Sequence, residues 1–292
     1  LLGLLWGGSF FFARVALQSI PPVTLALSRF TIAALALHVF IAGRFDIYRE
    51  LKNRWPAFLL LGLINNAIPH TLIFAGQTQI GAGLASILNA TTPIWTVIIA
   101  HIMTSDEKLT GRKIAGTLTG LMGTILLFSP HIGEKAGAPL WALALPLMAA
   151  VSYGFAAIFS RRFKGVAAPV TAAGQLTAST LIMLPLSVIV DRPWTLAAPP
   201  TGVILAVLAL ALISTALGYV LYFRLIASVG ATNASLVTLL VPPSAILLGM
   251  LFLSETLEWQ EWAGMLVIGL GLLVLDGRLL RRVRRIQDKS SA

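Results

Sequence analysis

Uncharged apolar segments of roughly 20 residues follow one another along the chain, separated by short charged or Pro/Gly-rich breaks. Each is long enough for a helix to cross a hydrocarbon core of about 30 Å. The segments lack the alternation of a barrel strand, and lipid offers no partner to an unpaired backbone group, so helices are expected. The pattern predicts ten membrane-spanning helices, near residues 1–18, 23–43, 55–78, 82–103, 112–129, 139–160, 167–190, 202–227, 231–253 and 261–279.

Part of this sequence pattern occurs twice in the chain. Residues 81–93 return 149 positions later as residues 230–242, with Gly, Ala, Ala, Ser and Pro in register. Further matches are Pro22-Val23-Thr24 with Pro169-Val170-Thr171, and Glu107 with Glu255 after a one-residue slip. Each copy therefore holds five predicted helices, and an odd number forces the second copy to enter the membrane from the opposite side.

The predicted fold class is an all-α polytopic membrane protein with ten transmembrane helices as two inverted five-helix repeats (5+5). The expected units are a first repeat over 1–130, a second over 138–279 and a basic cytoplasmic tail over 280–292. Inverted repeats in a bilayer protein point first to a transporter that works by alternating access.

Composition supports a membrane protein. The 292 residues are 57% hydrophobic and 11% charged, whereas a soluble domain is typically about 25% charged. There is no cysteine, which excludes disulfides, thiolate metal ligands and cysteine nucleophiles. No cofactor and no metal are expected.

The net charge of +10 is interpreted as a result of how the chain is oriented in the membrane. If the N-terminus is cytoplasmic, 17 of the 21 basic residues fall on the inner side, which is the asymmetry of the positive-inside rule. Both termini are therefore expected in the cytoplasm. The basic cluster at 278–285 is interpreted as attraction to anionic lipid, with no nucleic-acid partner.

Three features taken together resemble a known family. They are Trp6-Gly7-Gly8-Ser9 in the first span, the two Gly-Ala…Ala-Ser…Pro helices, and an acid after the fourth and ninth spans. This combination resembles the EamA-type transporters of the drug/metabolite transporter superfamily, over essentially the whole chain. Within that family the chain looks most like bacterial exporters of amino acids and metabolites, including aromatic amino acids. The resemblance implies a ten-helix fold, a central cavity between the halves and export across the inner membrane.

Polar residues in the third and eighth spans are the first candidates for substrate binding. Asn66, His70 and Gln77 share one face of a helix by their spacing of four and seven residues. The repeat offset pairs this stripe with Thr215, Tyr219 and Tyr222 in the eighth span. These groups either face one cavity or only tie helices together. His70 is favoured because an ionisable group at membrane depth is costly, although an interhelical structural histidine stays an open alternative.

The fourth, sixth and ninth spans add further candidates. The substrate-binding candidates there are Asn89, Trp95, Tyr153, Thr238 and Ser244. The proline positions Pro93, Pro242 and Pro243 remove backbone donors within their spans and are expected to kink them, as a hinge or as simple packing kinks. Arg14 and Arg29 are expected near span ends, snorkelling or bonding carbonyls, and receive no role.

The chemistry of these candidates favours a zwitterion. The interior of the predicted spans contains no Asp or Glu, which disfavours a carboxylate proton relay. Amides and hydroxyls suit an ammonium and a carboxylate, and aromatic faces suit a side chain. The leading hypothesis is therefore facilitative export of amino acids, possibly aromatic. The alternatives are an exporter of other hydrophobic metabolites or drugs with proton coupling through His70 and, remotely, a polytopic membrane enzyme.

The expected partners are a small-molecule substrate and the lipid bilayer, and a homo-dimer is possible. Glycines in the fifth and tenth spans permit close helix contact, either within one protomer or between two. These are Gly116, Gly120, Gly123, Gly264, Gly269 and Gly271.

Overall fold

The computed structural model describes residues 1–43, 46–127, 129, 138–244, 247 and 258–276. Every regular element within these ranges is helical. Six of the described helical segments are long and apolar enough to cross a membrane: Pro22–Ile41, Ile47–Gln77, Leu84–Met103, Leu140–Phe163, Ala168–Val190 and Thr201–Val229. The predicted all-α membrane protein is confirmed to this extent. The match at Glu255, the basic cluster at 278–285 and the tail at 280–292 lie outside the described residues.

The described residues of the first half form seven helices and one π-helical segment. The helices are α1 (Leu2–Ala16), α2 (Pro22–Ile41), α3 (Ile47–Gly62), α4 (Ile68–Gln77), α5 (Ala82–Asn89), α6 (Thr92–Met103) and α7 (Gly111–Leu127). The first π segment (Leu63–Ala67) joins α3 directly to α4. Helix α3 begins at Ile47, ahead of the predicted start of the third span at 55, and Asp46 caps it through a bond from the Arg49 amide (3.0 Å). Its helical geometry is broken at Arg54 (φ −126°, ψ 20°), so the part that continues into the first π segment begins close to the predicted residue.

The second half repeats much of this order. Its helices are α8 (Leu140–Phe159), α9 (Ala168–Val190), α10 (Thr201–Ala209), α11 (Gly218–Val229), α12 (Ala231–Ser235) and α13 (Trp259–Asp276). The second π segment (Leu210–Leu217) joins α10 to α11. Short 3₁₀ turns lie at Ser160–Phe163, Pro193–Thr195 and Leu236–Leu240.

The two π segments lie at equivalent positions of the repeat. Adding the offset of 149 to 63–67 gives 212–216, which lies inside the second segment. A π turn displaces backbone carbonyls from their usual partners, and buried carbonyls need replacements. Side-chain hydroxyls supply them: Ser152 donates to the Ile64 carbonyl (2.6 Å) and Thr215 to the Leu210 carbonyl (2.6 Å).

The halves interlock through their second helices. Helix α2 packs against α9 and the second π segment, while α9 packs against α3 and the first π segment. The contact between α3 and α9 is close, since a Cβ built on Gly62 would lie 3.0 Å from the Gln175 carbonyl oxygen and the Ser179 amide nitrogen. The buried centre therefore draws on both halves.

Helices α7 and α13 pack along their glycines. A Cβ on Gly123 would lie 2.6 Å from the Ile268 amide, and one on Gly271 would lie 2.5 Å from the Gly120 amide. The predicted close packing is thus confirmed within one protomer, whereas a Cβ on Gly269 meets no atom within 4 Å.

Acids of one half cap helices of the other. The Asp191 carboxylate at the end of α9 accepts bonds from the Thr24 amide (2.6 Å) and hydroxyl (2.9 Å) in the first turn of α2. Glu107 accepts from the amides of Ala231 (3.1 Å) and Thr232 (2.9 Å) at the start of α12. Carboxylates in these places satisfy free helical N–H groups and complement the helix dipole.

A charged pair lies beside Glu107. Arg161 donates to Asp106 with both terminal nitrogens, and its guanidinium also lies 3.7 Å from Glu107. The hydrogen bond from Arg161 holds the pKa of Asp106 below its ordinary value. The loop after α6 is thereby fixed to both α8 and α12.

Candidate functional site

A cavity lies where α1, α2, α4, α5, α8, α11 and the end of α12 meet. The volume within it that water-sized molecules can reach is about 60 Å³. The wall comprises Trp6, Ser9, Phe10, Arg29, Asn65, His70, Ile73, Phe74, Gln77, Asn89, Thr92, Tyr153, Tyr219, Tyr222, Ser235, Thr238 and Val241. Both halves of the chain contribute to it.

Seven of the eleven predicted binding residues lie in this wall: His70, Gln77, Asn89, Tyr153, Tyr219, Tyr222 and Thr238. They come from α4, α5, α8, α11 and the 3₁₀ turn after α12, so the fold brings together residues up to 168 positions apart. The other four predicted residues, Asn66, Trp95, Thr215 and Ser244, do not line the cavity.

Asn66 and Thr215 lie directly behind the wall. Asn66 donates to the Ser179 hydroxyl (2.7 Å) and accepts a bond from the Tyr219 hydroxyl (2.5 Å). Thr215 accepts a bond from Nε of Arg29 (2.5 Å). Both residues are fully buried and position a side chain that does line the cavity.

Trp95 and Ser244 are further away. The Trp95 ring packs beside a small apolar cluster that contains Ile99 and Ala157, and its buried indole N–H has no partner among the described residues. The Ser244 hydroxyl donates to the Leu240 carbonyl (2.7 Å), four residues earlier in its own helical turn.

The three predicted hinge prolines lie where helical geometry changes. Pro93 follows the turn at Ala90 and Thr91 that separates α5 from α6, so the predicted continuous span is divided into two helices. Pro242 and Pro243 follow the 3₁₀ turn that ends at Leu240. Pro93 and Pro242 are buried, and the change of helix type precedes each of them.

His70 has a defined tautomer and aromatic neighbours. Its Nδ1 lies 3.1 Å from the Asn66 carbonyl oxygen, which can only accept, so Nδ1 carries a proton. The Tyr153 hydroxyl lies 3.4 Å from both ring nitrogens, a weak contact. The rings of Phe30 and Phe74 also lie beside His70, with centroids 5.2 and 5.9 Å from the centroid of its imidazole ring.

Arg29 is the residue that the sequence interpretation missed. It occupies the middle turns of α2, is 4% exposed and lines the cavity, so it does not snorkel. Its position well inside an apolar span was the available signal, because charged groups at such depth tend to be functional. Arg14, by contrast, bonds the Gln77 carbonyl (2.6 Å), as expected.

Two amide oxygens in the wall have no partner among the described residues: Oε1 of Gln77 and Oδ1 of Asn89. Gln77 is oriented by a bond from its Nε2 to the Phe10 carbonyl (3.3 Å), which leaves Oε1 as the free end. Buried acceptors without partners are uncommon in native proteins and mark places where a ligand or water completes the bonding.

The apolar part of the wall is an aromatic cluster. Trp6 packs against Tyr222 (ring centroids 5.1 Å apart) and edge-on against Tyr219 (6.4 Å). Gly218 allows this contact, since a Cβ there would lie 2.9 Å from the Trp6 indole nitrogen. Trp6 is a second cavity residue without a role in the sequence prediction.

The described part of the chain contains no cluster of three or more His, Asp or Glu side chains able to hold a metal ion. The chemical resources of the cavity are therefore one guanidinium, one imidazole, free amide oxygens, hydroxyls and aromatic faces. Groups of this kind are suited to a small polar molecule with an apolar part.

Comparison with known proteins supports this picture. The chain is 28% identical to the "Uncharacterized inner membrane transporter YedA" of Escherichia coli (strain K12), over 99% of this chain and 95% of that one. It is 27% identical to the "Probable amino-acid metabolite efflux pump" of the same strain, over 94% and 92%. A solved crystal structure matches its fold with a TM-score of 0.79 at 21% identity, covering 97% and 96%.

The sequence pattern of one family covers nearly the whole chain. The match runs over residues 1–129 and again over residues 140–275. It agrees with the transporter names of the relatives and with the membrane-spanning helices. This chain therefore belongs to the EamA-like transporter family.

Proposed function

We propose that this transporter exports small zwitterionic metabolites, with amino acids, including aromatic ones, as its leading substrates. The observation that carries the proposal is the cavity itself, whose wall combines aromatic side chains with Gln77 and Asn89, two amides whose oxygens have no partner among the described residues. Free acceptors suit an ammonium group, and aromatic faces suit an apolar side chain. The name of the efflux pump from Escherichia coli agrees with this substrate class.

The proposed mechanism is alternating access between two inverted five-helix repeats of a ten-helix protein. It is supported by the reciprocal packing of α2 and α9 and by the equivalent π segments. Because the cavity lies between the halves, rocking one half against the other exposes it to either side in turn. Pro93 and Pro242 adjoin the breaks in α5–α6 and in the segment after α12, and serve as the hinges.

The proposed setting is the bacterial inner membrane, with both termini in the cytoplasm. The distribution of basic residues in the sequence supports the orientation, and the name of the relative YedA supports the membrane. The transporter acts without chemical change of its substrate, and a homo-dimer is compatible with these features.

We further propose that transport is facilitative. None of the described cavity residues is an acid, and the His70 proton on Nδ1 is committed to a backbone carbonyl. The rival is an exporter of hydrophobic metabolites or drugs that couples to protons through Nε2 of His70. The aromatic surroundings of His70 favour that rival, since an apolar substrate packs well there.

Purified protein in proteoliposomes tests both versions. Labelled amino acids should exchange saturably and be recovered unchanged, with equal steady-state levels inside and outside whether or not a pH gradient is imposed. Accumulation driven by the gradient contradicts facilitated transport, and chemical conversion of the label contradicts a transporter.

The site assignment is tested by His70→Ala. We expect exchange to fall about tenfold, which corresponds to roughly 1.4 kcal/mol of lost interaction. The matched control is His38→Ala, because His38 bonds Thr177 (2.9 Å) and does not line the cavity. Equal exchange by the two variants would remove His70 from the site.

A further inference from the structure

We propose that Arg29 binds the carboxylate of the transported molecule, and that the cavity therefore selects molecules with a free carboxylate over their amidated forms. The inference rests on the proposed function, because it names the group by which the cavity recognises a zwitterion. It assigns the substrate an orientation, with its carboxylate at α2 and its ammonium at α4 and α5.

Among the described residues, the guanidinium of Arg29 makes one hydrogen bond and lies 6.0 Å from the centre of the Phe74 ring. Its Nε donates to Oγ1 of Thr215, and the Thr215 hydroxyl proton is committed to the Leu210 carbonyl. An arginine has five N–H donors in a fixed fork, so the two terminal nitrogens stay available on the cavity side. That fork matches the two oxygens of a carboxylate.

No acid neutralises Arg29 in the described part of the protein. The ion pairs seen there join Glu50 to Arg54 and the acids Asp106 and Glu107 to Arg161. Asp191 also bonds α2, the helix that carries Arg29, but its partner there is Thr24 in the first turn. A guanidinium is always charged, and a buried charge without a counter-ion is costly. An anionic substrate supplies the missing charge.

A second part of the cavity wall disfavours an anion. Oε1 of Gln77 and Oδ1 of Asn89 are buried acceptors without a partner among the described residues, and both residues line the cavity. Carbonyl oxygens accept hydrogen bonds and carry partial negative charge, so they favour an ammonium. A zwitterion thus satisfies both parts at once.

The repeat supplies only one such cation. The match of residues 22–24 with 169–171 places Leu176 at the position equivalent to Arg29. Leu176 is fully buried in the core of the second half. The cavity consequently has one anion-binding position, which fits a molecule with one carboxylate.

A purely structural role for Arg29 is the alternative, in which its bond to Thr215 only holds α2 against the second π segment. The two roles differ in what a substitution does to selectivity. A structural defect slows all substrates alike, whereas loss of a carboxylate partner affects only the molecules that carry the carboxylate.

The test compares three probes in proteoliposomes: phenylalanine, phenylalaninamide and 3-phenylpropanoate. For the wild type we expect phenylalanine to exchange at least about tenfold faster than its amide. Arg29→Gln should abolish that ratio, and Arg29→Lys should retain part of it because the charge remains. Arg224→Gln is the matched control, since Arg224 is exposed on α11 and does not line the cavity, and this substitution should leave the ratio unchanged.

Each outcome separates the inference from the proposed function. A wild type that carries the acid and the amide equally, or an unchanged ratio in Arg29→Gln, overturns the inference and leaves amino-acid transport standing. Exchange of 3-phenylpropanoate alone, lost in Arg29→Gln, supports the carboxylate site and overturns the zwitterion. Failure of all three probes to exchange or to shift thermal unfolding overturns both. If Arg29→Gln does not fold, the ratio in Arg29→Lys decides.

Discussion

The two π segments share a backbone geometry but differ in the chemistry that holds them. The first, Leu63–Ala67, is tied to α9 by neutral groups: Asn65 donates to Gln175 (2.9 Å) and Asn66 donates to Ser179 (2.7 Å). The second, Leu210–Leu217, is tied to α2 by the charged Arg29. Duplication therefore preserved the helix irregularity in both halves and let one half acquire a cation.

This difference shows that the shape of the cavity and its polarity depend on different parts of the chain. The irregular turns place side chains at the centre, while the identity of one residue in α2 or α9 decides the local charge. A π turn frees carbonyls that must find partners, which explains why hydroxyl and amide groups concentrate there in both halves.

The largest expected effect concerns how closely each π segment is packed. Gly62 precedes the first segment, and the equivalent residue in the second half is Ala211, which is fully buried. In Gly62→Ala the new Cβ would lie 3.0 Å from backbone atoms of α9. We expect a loss of about 1–3 kcal/mol, measured by thermal unfolding in detergent.

Gly202→Ala is the control for this substitution, because a Cβ there meets no atom within 4 Å. If Gly62→Ala is as stable as the control, the first π segment is packed no more tightly than the second. The two segments then do not differ in packing.

An intermediate effect is expected from Thr215→Val. The substitution removes the acceptor that orients Arg29 but leaves the charge in place. We expect the exchange ratio of phenylalanine to phenylalaninamide to fall about three- to tenfold, less than in Arg29→Gln. Asn66→Val, at the equivalent position, changes a neutral network and should leave the ratio as it is. Equal changes in both variants would argue that the two segments are functionally alike.

The smallest effect tests the bond between the halves. Tyr219 of the second half donates to Oδ1 of Asn66 in the first. A double-mutant cycle of Tyr219→Phe and Asn66→Val should give a coupling free energy of about 0.6 kcal/mol, the average for such bonds in a membrane protein. A coupling near zero means that this bond does not hold the halves together.

The apolar helices that the structure describes could be predicted from segment length, because that length is written directly in the chain. The five-plus-five repeat stays a prediction drawn from matching residues. The face of α4 was only partly predictable. A regular helix places Asn66 on the same side as His70, four residues later. After the π turn the cavity wall contains Asn65, which also donates to Gln175 of α9, whereas Asn66 lies behind the wall and donates to Ser179.

Arg29 and Trp6 illustrate a second limit. The sequence does not show whether a single arginine or tryptophan in an apolar span faces lipid, core or cavity. Periodicity cannot distinguish the sides of a helix that is apolar all round. The burial of Arg29 depends on Thr215, 186 positions later, and no local pattern specifies such a contact.

The caps that cross between the halves have a consequence for biosynthesis. Thr24 in the first turn of α2 obtains its partner from Asp191, 167 residues later in the chain. When α2 has been inserted into the membrane during translation, neither that carboxylate nor Thr215 has yet been made. The first half must therefore wait in the bilayer with polar groups unsatisfied, and its native packing is completed only after α9 and the second π segment have left the ribosome.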